Sequence, residues 1–270
     1  VANHLAGFVK NVTLVTGLGQ QNSHEEFIRS KMQKNVIFEP FYFPDAPTVV
    51  KRRYVDMDLL KFFEVYFYND EPSLEDIDPD VCSWLEKNTA EFDIVFVPDF
   101  GNGFISPNMI ERLCANARFL AINTQINSGN RGYHSINRYP SADFVSLNGP
   151  ELRIATHNRH DSYENLAKKL LDQIGARHFA VTLGSEGAIL LNKGPEVTFK
   201  TPILSTKVLD RIGAGDTFLS LAGLCLGGGL RSDVALFVGS AAAALDVQIV
   251  CNREPITPVN LFKYLGTLLK

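Results

Sequence analysis

Asp93-Ile94-Val95-Phe96-Val97-Pro98-Asp99, then a helical stretch over residues 106–116, then Phe119-Leu120-Ala121-Ile122-Asn123, is the passage that decides the fold class. Each apolar run is short and apolar on both faces, the mark of a strand buried on both sides. A helix between two such strands supplies the crossover that a parallel pair needs. The alternation continues through strands at 144–148, 178–183 and 188–191 and helices at 80–89, 162–174, 215–226, 232–247 and 257–269. It predicts an α/β core built on a mainly parallel sheet covered on both faces. Ligands of such sheets bind beyond the carboxyl ends of the strands, where Asp99, Asn123, Asn148 and Thr182 fall.

The upstream part has a different texture. Val12-Thr13-Leu14-Val15-Thr16 reads as a short buried strand ending at Gly17 and Gly19, and residues 23–32 as a helix with Ser23 at its cap and Glu25 and Glu26 in its first turn. Residues 36–43, 48–55 and 59–68 are aromatic and β-branched with partial alternation, which predicts antiparallel strands of a small sheet standing off the core. The organisation expected is therefore a core of residues 1–35 and 71–270 with a β lid at 36–70.

The chain has 270 residues with a net charge of −4, and its composition, 45% hydrophobic and 21% charged, is that of a globular protein. That charge argues against a nucleic-acid surface. Cys82, Cys114, Cys225 and Cys251 form no C-x-x-C pair and read as reduced thiols of a cytoplasmic protein. No apolar run is long enough to span a membrane. The chain opens on Val1 rather than Met, inside an apolar helix, and the expectation is that further sequence, a fused domain among the options, precedes it.

The chemistry concentrates in Asp210-Arg211-Ile212-Gly213-Ala214-Gly215-Asp216-Thr217. A turn of small residues opening a helix presents bare N–H groups and the positive end of the helix dipole, which together make an anion site. A carboxylate at the rim of that site repels the anion but is placed to take a proton from a hydroxyl that attacks it. The pattern reads as phosphoryl transfer to an alcohol. The plainer reading is a helix start with Asp216 as a cap.

These residues resemble the C-terminal signature of the ribokinase-like (PfkB) carbohydrate kinases. Val181-Thr182-Leu183-Gly184-Ser185-Glu186-Gly187 resembles the family's V-T-x-G-x-x-G element, Asn148-Gly149-Pro150-Glu151 its N-x-x-E motif, and Ala2-Asn3 with Leu14-Val15-Thr16-Gly17-Leu18-Gly19 its early region. Pro47-Thr48-Val49-Val50-Lys51-Arg52-Arg53-Tyr54 and Asp99-Phe100-Gly101-Asn102-Gly103 are similar to segments of the bacterial heptose-phosphate kinases, although Asn102 stands where those have lysine. By this resemblance the family's first strand would lie upstream of Val1.

The resemblance implies an ATP-dependent sugar or sugar-phosphate kinase with a three-layer α/β core and a small β lid. Asp216 would be the general base, with the Gly213, Ala214 and Gly215 amides as the hole for the transferring phosphoryl group. Asn148, Glu151, Thr182, Gly184, Gly187 and Asp210 would lie on the nucleotide side, with Glu151 meeting Mg²⁺ through water; a monovalent cation is a further candidate. Asn3, Lys51, Arg53 and Asn123 would face the acceptor, and lid strands pairing between subunits would give a homodimer.

Plainer readings stand beside these. Asn148 and Glu151 fit a capping box, the glycines at 184 and 187 fit a hairpin turn, Lys207 fits a solvated charge, and Lys51 and Arg53 fit edge-strand charges. The loop at 123–132 is rich in amides and hydroxyls that suit polyols. His157 and His160 lack a third ligand for zinc. A nucleoside kinase of the same fold, and a kinase-like module that binds without turnover, are the alternative functions.

Overall fold

The computed structural model describes residues 1–57, 61–69, 72–127, 129–130, 133–194 and 197–270, so Leu59, Leu60, Ser128, Arg131 and Gly132 of the readings above lie outside the described residues. Helix α1 (Ala2–Ala6) leads into strand β1 (Val12–Gln21), helix α2 (Glu25–Lys31) and strand β2 (Val36–Pro47). Strands β1 and β2 pair in parallel, from Val12 opposite Val36 to Gly19 opposite Phe43. The expectation of an antiparallel lid strand at 36–43 is thus corrected: α2 provides the crossover that returns the chain in the same direction. Strand β1 also runs past both glycines. The backbone of Ala46 to Thr48 passes so close over Gly19 that a Cβ there would lie 2.3 Å from it, and the Gly19 amide donates to Thr48 Oγ1 at 2.9 Å.

Strands β3 (Val50–Val55) and β4 (Lys61–Phe67) form a separate antiparallel hairpin, with Arg53 opposite Glu64 and Tyr54 stacked on Phe63 at 4.5 Å between centroids. The antiparallel pairing that the aromatic alternation anticipates is found in this hairpin.

The remainder alternates as expected: α3 (Asp78–Asn88), β5 (Val95–Asp99), α4 (Pro107–Asn116), β6 (Leu120–Thr124), β7 (Phe144–Asn148), α5 (Gly149–Thr156), α6 (Tyr163–Ile174), β8 (His178–Thr182), β9 (Ala188–Asn192), β10 (Thr198–Thr201), α7 (Ala214–Gly227), α8 (Ser232–Asp246) and α9 (Pro258–Leu268). Six strands make one sheet in the order β10-β9-β8-β7-β6-β5, parallel from β5 to β8 and antiparallel where β9 joins β8 and β10 joins β9.

Alternation along each strand sorts the core into two layers. Ile122, Val145, Leu147, Phe179 and Val181 meet Val81, Met109, Leu113, Leu152, Leu166 and Leu170 of α3 to α6. Ala121, Phe144, Ala180 and Leu190 turn the other way, onto Phe218, Leu219, Ala222, Ala235 and Leu236 of α7 and α8. Both layers end at the carboxyl edge of β5 to β8, and α7 begins there. Among the described residues no helix is long and apolar enough to cross a membrane.

Candidate active site

Gly213 caps α7 at φ +95°, a conformation open to glycine. A Cβ there would also lie 2.5 Å from Asn252 Nδ2 and 2.9 Å from Asp246 Oδ2, so the turn is closed from behind. In front, a Cβ on Gly215 would meet nothing within 4 Å. The first turn of α7 therefore offers its N–H groups to an open space beside Gly215, the cradle an anion needs.

Asp216 stands in that turn, half-buried. Its Oδ1 accepts a bond from Gln125 Nε2 at 2.8 Å. The surrounding protein raises its proton affinity, against the pull of nearby positive charge, Lys51 included, and of the Gln125 bond. Lys51 reaches this region from β3, its Nζ 5.3 Å from the Tyr66 ring centroid and 5.7 Å from that of Phe100. Burial between these rings lowers its proton affinity, while Glu64 and Asp216 raise it. Arg53 goes elsewhere: its Nε bonds Glu64 Oε2 at 2.9 Å across the hairpin. The Arg53 charge still reaches Lys51 and adds to the lowering of its proton affinity.

Asn148 and Glu151 form the capping box of α5. Glu151 is buried, and that burial pushes its carboxyl up to about 7, opposed by bonds from the Asn148 and Ile126 amides and the Asn123 side chain, with the Asp216 charge adding to the rise. Asn123 donates Nδ2 to Ser146 O at 2.8 Å, and its buried Oδ1 has no hydrogen-bond partner among the described residues. One carboxyl and one unused amide oxygen are hard donors, and no group of three His, Cys, Asp or Glu gathers among the described residues. A cation here would take most of its ligands from phosphate and water, which fits Mg²⁺.

Thr182 ends β8, and Gly187, at φ +87°, turns the chain into β9 where a Cβ would strike Thr201 O. The hairpin reading of these glycines is thus realised, and a Cβ on Gly184 would meet nothing within 4 Å. Asp210 shapes the approach to α7: Oδ1 accepts from the Ile212 amide at 3.0 Å and Oδ2 from the Cys251 amide at 2.8 Å. The Asn3 amide is committed to Lys31 O and the Gln33 N–H, at the end of α2. Lys207 is exposed.

Three participants escaped the sequence reading. Gln125 lies 91 positions from Asp216 in the chain, inside a loop read as suited to polyols, with no contact to Asp216 foreseen. His4 packs behind α7, its Nε2 3.2 Å from Thr217 Oγ1 and its Nδ1 accepting from the Ile256 amide at 3.0 Å; burial lowers it to about 4, so it is neutral. Asp246 is fully buried beneath Gly213 and is pushed up to about 6, mainly by burial. A charged residue inside an alanine-rich helix, as in Ala241 to Asp246, was the available signal for the last.

The α7 start has a glycine turn and a carboxylate, and it sits on a mixed, mostly parallel sheet. The pfkB family carbohydrate kinase model matches residues 1–256. The chain belongs to this family. Bifunctional protein HldE of Trichlorobacter lovleyi is 24% identical to it over 97% of this chain and 54% of that protein. HldE of Geotalea uraniireducens is 29% identical over 73% of this chain and 40% of that protein. The chain thus spans about half the length of the curated relatives it matches. Among solved structures, phosphofructokinase-2 from Escherichia coli in complex with potassium superposes with a TM-score of 0.80 at 14% identity, covering 100% of this chain and 86% of that one. Ribokinase from Thermotoga maritima gives 0.76 at 18% identity over 98% and 85% of the two chains. The ribokinase-like fold is therefore established for this pfkB chain, a mixed and mostly parallel sheet between helical layers.

Proposed function

We propose that this chain transfers the γ-phosphoryl group of ATP to a hydroxyl of a sugar or sugar phosphate, with heptose phosphates as the leading acceptor class. The observation that carries the reading is Asp216 in the first turn of α7, between the closed back of Gly213 and the open front of Gly215. Asp216 takes the proton of the acceptor hydroxyl as that oxygen bonds to the γ-phosphorus. The bond from γ-phosphorus to the bridging oxygen breaks, and its electron pair leaves on ADP. The α7 amides face the charge that builds on the phosphoryl oxygens, where a preorganised dipole acts most strongly. The raised proton affinity of Asp216 suits this task, since a base works best with a pKa near the working pH. Mg²⁺, when bound, neutralises phosphate charge; Glu151 and Asn123 are the residues that would hold it. Lys51 is the lid cation available for an acceptor phosphate, because Arg53 is paired with Glu64.

The names of the HldE relatives support the choice of acceptor, and the exposed apolar side chains Tyr54, Phe62 and Phe63 support a homodimer through the hairpin. ADP release measured with ATP, Mg²⁺ and a panel of heptose phosphates, hexose phosphates, free sugars and nucleosides tests the reading. Turnover is expected with a sugar phosphate, falling at least about a hundredfold in Asp216→Asn. Near-normal turnover in Asp216→Asn, or turnover with nucleosides alone, would overturn it.

A further inference from the structure

We propose that Gln125 is the positioning residue for Asp216, holding Oδ1 so that Oδ2 is the oxygen left to take the acceptor's proton. The inference rests on the reading of Asp216 as the base. A carboxylate free to rotate offers either oxygen in many orientations, and a donor fixed on one oxygen selects a single presentation. Gln125 Nε2 is 2.8 Å from Asp216 Oδ1. A glutamine amide neither gains nor loses a proton at working pH, so it orients the base without competing for the hydroxyl proton.

The rest of Gln125 is fastened on both sides. Its N–H donates to Asp99 O at 2.9 Å, and its carbonyl accepts from Asn130 Nδ2 at 3.1 Å. Asn130 Nδ2 also reaches Phe100 O at 3.2 Å, as Asn127 Nδ2 does at 3.0 Å. Asp99 anchors this clamp. Its buried side chain accepts from Tyr139 Oη at 2.7 Å, from Arg138 Nη1 at 3.2 Å and from the Gly101 amide at 3.1 Å, with His134 Nε2 also 3.2 Å away. Residues 125, 127 and 130 of the loop after β6 are thereby tied to the end of β5, and the side chain this mount aims at α7 is Gln125. The amide-rich loop owes its composition at 125, 127 and 130 to this mount.

Other charges also face Asp216: Lys51 from β3, Glu151 from α5 and Asp246 from α8. The test therefore changes Gln125 alone and reads Asp216 directly. The full chain, labelled with ¹³C at aspartate side-chain carboxyl carbons, is titrated by NMR without nucleotide or acceptor, and Asp216→Asn assigns the signal. Loss of a donor to the charged form favours the protonated form. Gln125→Leu is expected to move the Asp216 midpoint up by about one pH unit, with the Asp99 signal unchanged as the check on the mount. Gln125→Lys, which substitutes a charged donor, is expected to move it down and stands in should leucine disturb the loop.

An Asp216 midpoint that is the same in all three proteins would overturn the proposal while leaving the kinase reading intact. Retained turnover in Asp216→Asn would instead remove the base itself. With a working acceptor, Gln125→Leu is expected to lower kcat about tenfold at unchanged KM for ATP and to move the acidic limb of the profile to higher pH. A fall in kcat with no movement of that limb would also count against it.

Discussion

The Glu151 amide donates to Asn148 Oδ1 at 2.9 Å, and the Asn148 amide donates back to Glu151 Oε2 at 2.8 Å. The same carboxyl thus caps α5 and faces Asp216 from within a buried site.

That double position sets a pH dependence. Glu151 titrates at about 7 in the folded chain against 4.5 ordinarily, mainly because burial disfavours its charge. Its contribution is fully present below pH 4.5 and is lost as pH rises through 7, by about 3 kcal/mol. Glu151→Gln keeps an acceptor for the Asn148 amide and has no charge to bury. It is expected to gain stability relative to the parent between pH 4.5 and 8 and to lose Mg²⁺-dependent turnover. Denaturant titrations at both pH values decide it, and parallel stabilities would refute it.

His4 gives the opposite slope. Burial lowers it to about 4 from 6.5, so its neutral form favours the fold above pH 6.5, and that contribution is lost as pH falls toward 4. The size is about 3 kcal/mol. His4→Gln is expected to remove this component, so that the difference in Tm between parent and variant narrows on acidification. A constant difference from pH 7 to 4.5 would rule it out.

The two glycines of the α7 turn separate structure from binding. Gly213→Ala places a Cβ against Asn252 and Asp246 at φ +95° and is expected to cost about 1–3 kcal/mol. Gly215→Ala meets open space and is expected to leave stability within about 0.5 kcal/mol. Its methyl group would occupy the cradle, so ATP affinity should fall by about tenfold or more, or ~1.4 kcal/mol. Thermal melts and titration calorimetry on both variants check the contrast, and unchanged ATP affinity in Gly215→Ala would remove the cradle from that place.

On the lid, Lys51→Met is expected to raise KM for a phosphorylated acceptor about tenfold or more, the loss of one charge-assisted contact. Arg53→Met breaks only the pair with Glu64 and should change KM much less. Equal effects from the two, or an equal effect of Lys51→Met on an acceptor without phosphate, would refute the assignment.

The sheet was legible because β5 to β9 are short apolar runs with helices or glycine turns between them, and burial on both faces leaves that pattern little freedom. The start of α7 was legible for a local reason, since small residues and a carboxylate act within one turn. Strand β2 was misread in direction because its aromatic alternation speaks of a two-faced strand and says nothing of its partner; the crossover helix α2 carried that information. Gln125 was hidden in a loop whose amides are interchangeable on paper, and only the pairing of β5 with β6 aims one of them at Asp216. Arg53 shares a face with Lys51, as strand alternation implies, but its ion-pair partner Glu64 comes from the register of the hairpin, which the sequence does not display.

Lys51 belongs to a two-stranded hairpin, yet its charge is felt at Asp216. Hairpin position and proton occupancy are therefore thermodynamically linked, and the linkage is reciprocal. A proton on Asp216 weakens the attraction that draws Lys51 inward, and withdrawal of Lys51 makes Asp216 hold its proton more tightly. With Lys51 close by, the carboxyl holds a proton less tightly and stays ionised to lower pH, so the same ammonium group that would greet an anionic acceptor would also keep the base free to receive that acceptor's proton.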